Sequence, residues 1–178
     1  MATVFTHAAA ALALGTAFRR PGPPRSFWVA GAACAMAPDL DVIGLSFGVP
    51  WGHVLGHRGI THSLAFAAAL ALVVVAAVFG GPAWKGRRGR MWLFLFAATA
   101  SHGVLDAMTD GGSGVAFFAP LDDARYFLPW RFIPVSPLGW RFFSGRGLDV
   151  LEGELLRVWL PAAVFAAICA WARRREAS

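Results

Sequence analysis

Long apolar runs alternate with short polar clusters along the whole chain. Val4–Phe18, Ser26–Met36, Ser63–Gly80, Met91–Met108 and Leu151–Ala172 are dominated by Ala, Leu, Val and Phe, and each predicts a helix. Ser63–Gly80 is the least interrupted. At 1.5 Å per residue it would run ~27 Å, close to the thickness of a bilayer core. Val4–Phe18 is shorter than the ~20 residues a full span takes. Pro21, Pro23 and Pro24 end it, because proline cannot continue a helix interior. Asp39–Thr61 carries Gly44, Gly48, Pro50, Gly52, Gly56 and Gly59 and predicts a loop. Thr109–Asp149 mixes aromatics, prolines, glycines and charges; a connection of that length predicts a functional loop rather than a linker. The pattern as a whole predicts an all-α integral membrane bundle of about five helices. It forms one domain over residues 1–178, with 109–149 as an extramembrane or interfacial segment before the last helix.

Composition sharpens the membrane expectation. The chain is 57% hydrophobic and 15% charged over 178 residues, with a mean hydropathy of +0.57. Soluble domains are less apolar and nearer a quarter charged. The net charge of +6 is carried by Arg, with Lys85 the one lysine. These basic residues sit between apolar runs, which fits a topology signal better than a nucleic-acid surface, so no nucleic-acid partner is expected. Cys34 and Cys169 lie inside apolar runs and read as buried free thiols.

Charge also orients the helices. If five helices cross in alternation, the segments after the first, third and fifth share one side. That side holds Arg19, Arg20, Arg25, Lys85, Arg87, Arg88, Arg90, Arg173, Arg174 and Arg175, with Glu176 as its one acid. The positive-inside rule makes it cytoplasmic. All five histidines and the other acids then fall on or near the outer face, periplasmic in a two-membrane bacterium.

Those outer helix ends carry the candidate chemistry. His57-Arg58-Gly59-Ile60-Thr61-His62-Ser63 leads into the third apolar run. His102 and Asp106 are four apart, hence on one helix face, late in an apolar helix where an ionisable group is costly without a partner. Asp39 and Asp41 follow Pro38 and repel each other unless a cation or donors compensate. His7 sits at the outer end of helix one; His53 lies mid-loop with nothing to position it. Each signal has a plain structural counterpart: a helix-end His–Asp hydrogen bond, aspartates in a turn, Thr61 as a helix cap. Their convergence on one predicted face points instead to a divalent metal held by His and carboxylate, with zinc the best match. Arg58 could orient an anionic group or pair with Asp39 or Asp41. In the aromatic 109–149 segment, an interfacial belt is the simplest reading. Arg125, Arg131, Arg141 and Arg146 are interleaved there as possible lipid-phosphate contacts, and Arg141 and Arg146 are the substrate-contact candidates.

Three stretches, Ala37–Gly44 (APDLDVIG), His57–Ser63 (HRGITHS) and Ser101–Gly112 (SHGVLDAMTDGG), together with Thr6-His7, resemble the YdjM-like inner-membrane proteins, described as metal-dependent hydrolases. The likeness covers roughly Met1–Leu121. The order His, Asp, His, H-x-x-x-D is more distantly similar to the zinc-dependent phospholipase C and single-strand nuclease superfamily. That resemblance implies metal ligation by His7, Asp39 or Asp41, His62 or His57, His102 and Asp106, with Asp106 bridging. The later histidine ligands of that superfamily have no counterpart after Asp106, which implies one or two ions rather than three.

The resulting expectation is a membrane-bound hydrolase in which a metal-activated water attacks a phosphoester of a lipid or lipid-linked substrate. His7, Asp39, Asp41, His57, His62, His102 and Asp106 hold or support the metal, and Arg58 stabilises developing charge. Two other classes remain open on the same residues: a membrane protein with a structural or transported metal ion, and a membrane protein that binds lipid or a partner through its aromatic segment.

Overall fold

The computed structural model describes residues 1–18, 23–137, 142–143 and 145–176. The described chain is all-helical, with α1 Val4–Phe18, α2 Arg25–Met36, α3 Val42–Ser46, α4 Leu64–Val78, α5 Arg88–Ala107, α6 Gly145–Glu154 and α7 Leu160–Glu176. Two of the joints are themselves helical. A 3-10 turn, Ala37–Asp41, links α2 to α3, and a π-turn, Leu155–Trp159, links α6 to α7. The chain is thus a bundle of five rods. Arg19, Arg20 and Pro21, invoked above for topology and helix ending, lie outside the described residues.

α5 is the axis of the bundle, packed against α1, α2 and α4. The contacts are made by small residues, Ala11, Ala30, Ala35, Ala71 and Ala98, all buried. Small side chains let helix backbones approach where lipid offers no hydrophobic drive for association. Aromatics fill the remaining space: Phe27 stacks on Phe94 with centroids 4.4 Å apart. Gly31 is needed there, since a Cβ would come within 2.4 Å of the Phe94 ring. α1 also packs along α7.

Arg25–Ser46 and Gly145–Arg175 are long and apolar enough to cross a membrane, while Val4–Phe18 and Leu64–Val78 are apolar but shorter. The third apolar run, expected as the clearest span, is helical for 15 residues, or about 22 Å. The N-cap of α4 is Ser63, whose hydroxyl accepts from Phe66 N at 3.1 Å; Thr61, expected in that role, turns elsewhere. The expected loop after Pro38 is also corrected. Winding continues through Ala37–Asp41 into α3, because Pro38 occupies the first turn of the new segment, where its missing N–H costs nothing. Cys34 is buried and Cys169 half-buried, both free.

From Thr109 to Pro137 the chain is irregular, with two isolated bridges, Thr109 to Ile133 and Val115 to Tyr126. Arginines hold it in shape. Arg125 donates to the carbonyls of His57, Trp51 and His53 and to Ser113 Oγ. Arg131 donates to the carbonyls of Thr109 and Asp110 and lies over the Phe127 ring. Lipid-phosphate contact was one reading of both, beside an interfacial belt; in the fold they satisfy loop carbonyls that no helix or sheet serves. Trp130, Phe118 and Tyr126 remain exposed, as an interfacial belt requires.

Candidate functional site

α5 presents His102 and Asp106 on one face, and both are fully buried. The 3-10 turn after α2 supplies Asp39 and Asp41, and the turn before α4 supplies His57, Arg58 and His62. His7 comes from the first turns of α1. The polar residues that flank separate apolar runs therefore meet at one end of the bundle.

Two imidazoles face each other at the centre. His102 Nε2 lies 3.0 Å from His62 Nε2. Each ring has its other nitrogen engaged: His102 Nδ1 is 2.7 Å from the Ala35 carbonyl, and His62 Nδ1 is 3.2 Å from Asp41 Oδ2. A carbonyl or carboxylate partner fixes the proton on Nδ1 and leaves the lone pair on Nε2. Two lone pairs at 3.0 Å repel unless a cation or proton lies between them. Asp39 Oδ1 is 3.3 Å from His102 Nε2 and 3.9 Å from His62 Nε2. Asp106 Oδ2 is 4.0 Å from His102 Nε2 and 3.6 Å from His62 Nε2. Both carboxylate oxygens of Asp39 and Oδ2 of Asp106 are buried without a hydrogen-bond partner. Asp39, His62, His102 and Asp106 can offer one atom each within 4.8 Å of one another. In a zinc site with ~2.1 Å bonds, tetrahedral ligand atoms lie about 3.4 Å apart. The observed separations bracket that value, so the donor set fits a four-coordinate divalent ion.

Asp41 and His57 form a ring of support behind His62. Asp41 accepts from Thr61 Oγ1 at 2.6 Å and from Arg58 N at 3.2 Å, and its Oδ1 is 2.7 Å from His57 Nδ1. Asp41, His57 and His62 could hold an ion of their own, but the Asp41 oxygens are already engaged. Carboxylate–histidine pairs of this kind orient a ligand from behind. Burial opposes a charge on His62, yet the carboxylates of Asp106 and Asp41 outweigh it and raise its pKa to about 8.

His7 stacks on His102, with centroids 3.6 Å apart, and its Nε2 is 3.6 Å from Asp106 Oδ1. Neither of its ring nitrogens has a hydrogen-bond partner. Arg58 pairs with Asp106 rather than with Asp39 or Asp41: Nε to Oδ2 is 3.0 Å, with both side chains buried. Its other nitrogens donate to Thr109 Oγ1 and the Gly111 carbonyl. Arg58 also has φ of 63°, a conformation non-glycine residues rarely adopt, which turns its side chain inward to Asp106. His53 is exposed and accepts from Leu55 N, apart from the cluster. Arg146 lies exposed on α6 and touches none of these residues among the described contacts; Arg141 lies outside the described residues.

One buried group next to the site is absent from the sequence reading. Glu154, at the end of α6, is fully buried. It accepts from Thr3 N at 2.6 Å, from Thr3 Oγ1, and from Thr6 Oγ1 at 2.7 Å. The neighbouring Ala2 N donates to Asp106 Oδ1 at 2.8 Å. Thr3 and Thr6, one turn apart ahead of His7, were the available signal.

These features can be set beside known proteins. The chain matches the family described as YdjM inner membrane protein over residues 1–177. It is 42% identical to inner membrane protein YbcI of Escherichia coli (strain K12), over 177 residues that cover 98% of this chain and 100% of the relative. The chain belongs to the YdjM inner membrane protein family. No solved structure matches it. Membership of the YdjM family places an all-helical, apolar chain in the inner membrane and leaves the chemistry to the His/Asp cluster.

Proposed function

We propose that this YdjM-family protein is a membrane-bound, metal-dependent hydrolase that cleaves a phosphoester in a lipid or lipid-linked substrate. One observation carries the reading: the Nε2 atoms of His62 and His102 face each other at 3.0 Å, beside two Asp39 oxygens that have no hydrogen-bond partner and the Asp106 oxygen that Arg58 ion-pairs. Such a set is expensive to bury empty and suits zinc or a similar divalent ion.

A divalent ion held there supplies a water polarised toward hydroxide near neutral pH and a Lewis acid for a phosphoryl oxygen. The chain's own residues do the rest. Asp39, His62, His102 and Asp106 hold the ion. Asp41 and the Ala35 carbonyl fix the two imidazoles so that both Nε2 atoms point inward. Arg58 holds the Asp106 carboxylate in place and offsets its charge. His7 lies against the Asp106 carboxylate with both ring nitrogens free, so it can take or return a proton, or contribute to a second ion. A cavity of about 310 Å³ bordered by Trp51, His57, Arg58 and Ser113 lies on the loop side, next to the residues that support His62 and Asp106.

We place the site toward the periplasmic face of a multi-pass protein, on the charge distribution of its connecting segments. The complete burial of His7, His102 and Asp106 favours one competing reading, a structural or transported ion. Purified protein separates the two. Bound metal together with turnover of a phosphodiester or phospholipid supports the hydrolase, and bound metal without turnover of either supports the alternative. Metal that remains after both His62→Ala and Asp106→Ala would remove the site itself. A reporter fused into the 39–61 segment that is active only in the cytoplasm would overturn the orientation.

A further inference from the structure

A crevice of about 500 Å³ runs between α2 and α4. Its walls are Ala33, Cys34 and Ala37 on one side and Leu70 and Val74 on the other, and it reaches Asp39 at one end. The cause is local. α2 and its continuation present alanines where α4 presents larger aliphatic side chains, so the two helices meet over little of their length. Asp39 is the one lining residue with a carboxyl, hydroxyl or amide side chain. Its side chain is 9% exposed, and both of its oxygens lack a hydrogen-bond partner. The crevice therefore ends against a residue of the candidate metal cluster, whose carboxylate oxygens are buried just beyond it.

We propose that this crevice holds one hydrocarbon chain of a membrane lipid, with the lipid's polar group brought to Asp39 and the cluster beyond it. The polar half of this statement rests on the hydrolase reading; the hydrocarbon half rests on the crevice alone. Water is a poor occupant, because a site needs several polar partners per molecule to hold it and the walls offer carbon. α2 belongs to one of the two helices apolar and long enough to span, and α4 is the most apolar helix of the bundle. Between such helices, in a membrane, the material at hand is an acyl chain. A chain there gains the contacts that an unfilled gap between Leu70, Val74 and the alanines forfeits. The loop-side cavity is lined by His57 and Arg58 and not by the crevice residues. An amphiphile is the substrate class that the crevice and the cluster together fit: a tail in the crevice, and its ester at the cluster.

The test uses the full chain in nanodiscs of phosphatidylglycerol and phosphatidylethanolamine, released gently and examined by native mass spectrometry. The wild type is expected to retain one phospholipid. Leu70→Trp and Val74→Phe, which fill the crevice, should each lower that retention about ten-fold. Leu72→Trp, on the exposed face of α4, should keep it. Helical content and metal content are read on every variant, and with two filling variants one poorly folded protein does not decide the outcome. Equal retention in the filled variants, loss of lipid in Leu72→Trp as well, a wild type that retains none, or a crevice covered instead by a second copy of the chain would each overturn the proposal. Retained lipid with no ester cleavage by the metal-loaded protein would overturn the hydrolase reading and leave the hydrocarbon site standing.

Discussion

Replacing Glu154 with alanine should weaken both the fold and the metal site, although Glu154 touches no candidate ligand. Its carboxylate accepts three hydrogen bonds, from Thr3 N, Thr3 Oγ1 and Thr6 Oγ1. The π-turn after it adds a fourth tie, Trp159 Nε1 to Thr6 Oγ1 at 2.6 Å. In a regular α-helix, positions five apart point ~140° away from each other. The i→i+5 bonding of a π-turn brings them toward one side of the helix, and Glu154 and Trp159 both reach Thr6. The first residues of the chain are thereby clamped to the last helix, and Ala2 N is held against Asp106 Oδ1.

The magnitude follows from the groups left behind. Hydrogen bonds to a charged acceptor contribute about 1.5–3 kcal/mol each, and a buried donor left without a partner costs about 1–3 kcal/mol. Relief from burying a carboxylate returns several kcal/mol of that sum. Thr3 Oγ1 can turn to Thr6 Oγ1, already 3.2 Å away, which rescues one donor. The net for Glu154→Ala is about 3 kcal/mol of lost stability. Glu154→Gln keeps the shape and one acceptor oxygen and should lose about half as much. If the freed segment lets the Asp106 carboxylate rotate, metal affinity falls about ten-fold for each ~1.4 kcal/mol of lost positioning. Denaturant unfolding in mild detergent measures the first effect, and Co(II) titration followed by its visible absorption measures the second. Stability within about 0.5 kcal/mol of wild type and an unchanged cobalt spectrum would refute the clamp.

Further outcomes follow from the same geometry. Arg58→Met breaks a buried pair with Asp106 and strips donors from Thr109 and Gly111, so it should cost about 3–5 kcal/mol; thermal unfolding reads this directly. Arg58→Lys should rescue little, because one ammonium cannot replace three separately directed nitrogens. Ser63→Ala removes the cap of α4 and should cost about 1 kcal/mol, whereas Thr61→Val should act on metal affinity through Asp41. His53→Ala should leave bound zinc, counted by elemental analysis, at the wild-type level, since that ring touches only the neighbouring loop.

The sequence made the helices and their polar ends legible because both are local. An apolar run announces its helix, and an ionisable residue at its edge announces a cost that something must offset. His102 and Asp106 needed only the helical repeat to be placed together. What stayed hidden depends on contacts between distant segments. Glu154 looks like one more acid in an amphipathic stretch until α6 is laid against Thr3 and Thr6, more than a hundred residues away in sequence. Arg125 and Arg131 looked like surface cations until the loop they brace was folded beneath them. Pro38 read as a stop because proline usually ends a helix; at the first turn of a new one it ends nothing.

Asp39 and Asp41, two residues apart, face different partners, so the proposed metal site gives them different roles and different responses to substitution. Asp39 and Asp41 flank Leu40 on a 3-10 turn, where residues two apart point in different directions. One carboxylate therefore faces the paired Nε2 atoms, while the other faces the Nδ1 side of His62 and His57. Asp39 oxygens have no hydrogen-bond partner, whereas Asp41 is met by a threonine hydroxyl, a backbone N–H and two imidazoles. In the proposed site Asp39 would be a ligand kept free of competing donors, and Asp41 would orient His62 while surrounded by them. Asp39→Asn should weaken zinc binding most, because it replaces an anionic ligand oxygen with a neutral amide oxygen. Asp41→Asn should retain the ion with affinity lowered about 10–100-fold, the usual loss when an orienting partner is changed. Competition against a chelator of known zinc affinity distinguishes the two. The reverse order, with Asp41→Asn losing zinc and Asp39→Asn keeping it, would move the ion to the His57 side of His62 and leave the Nε2 pair to share a proton.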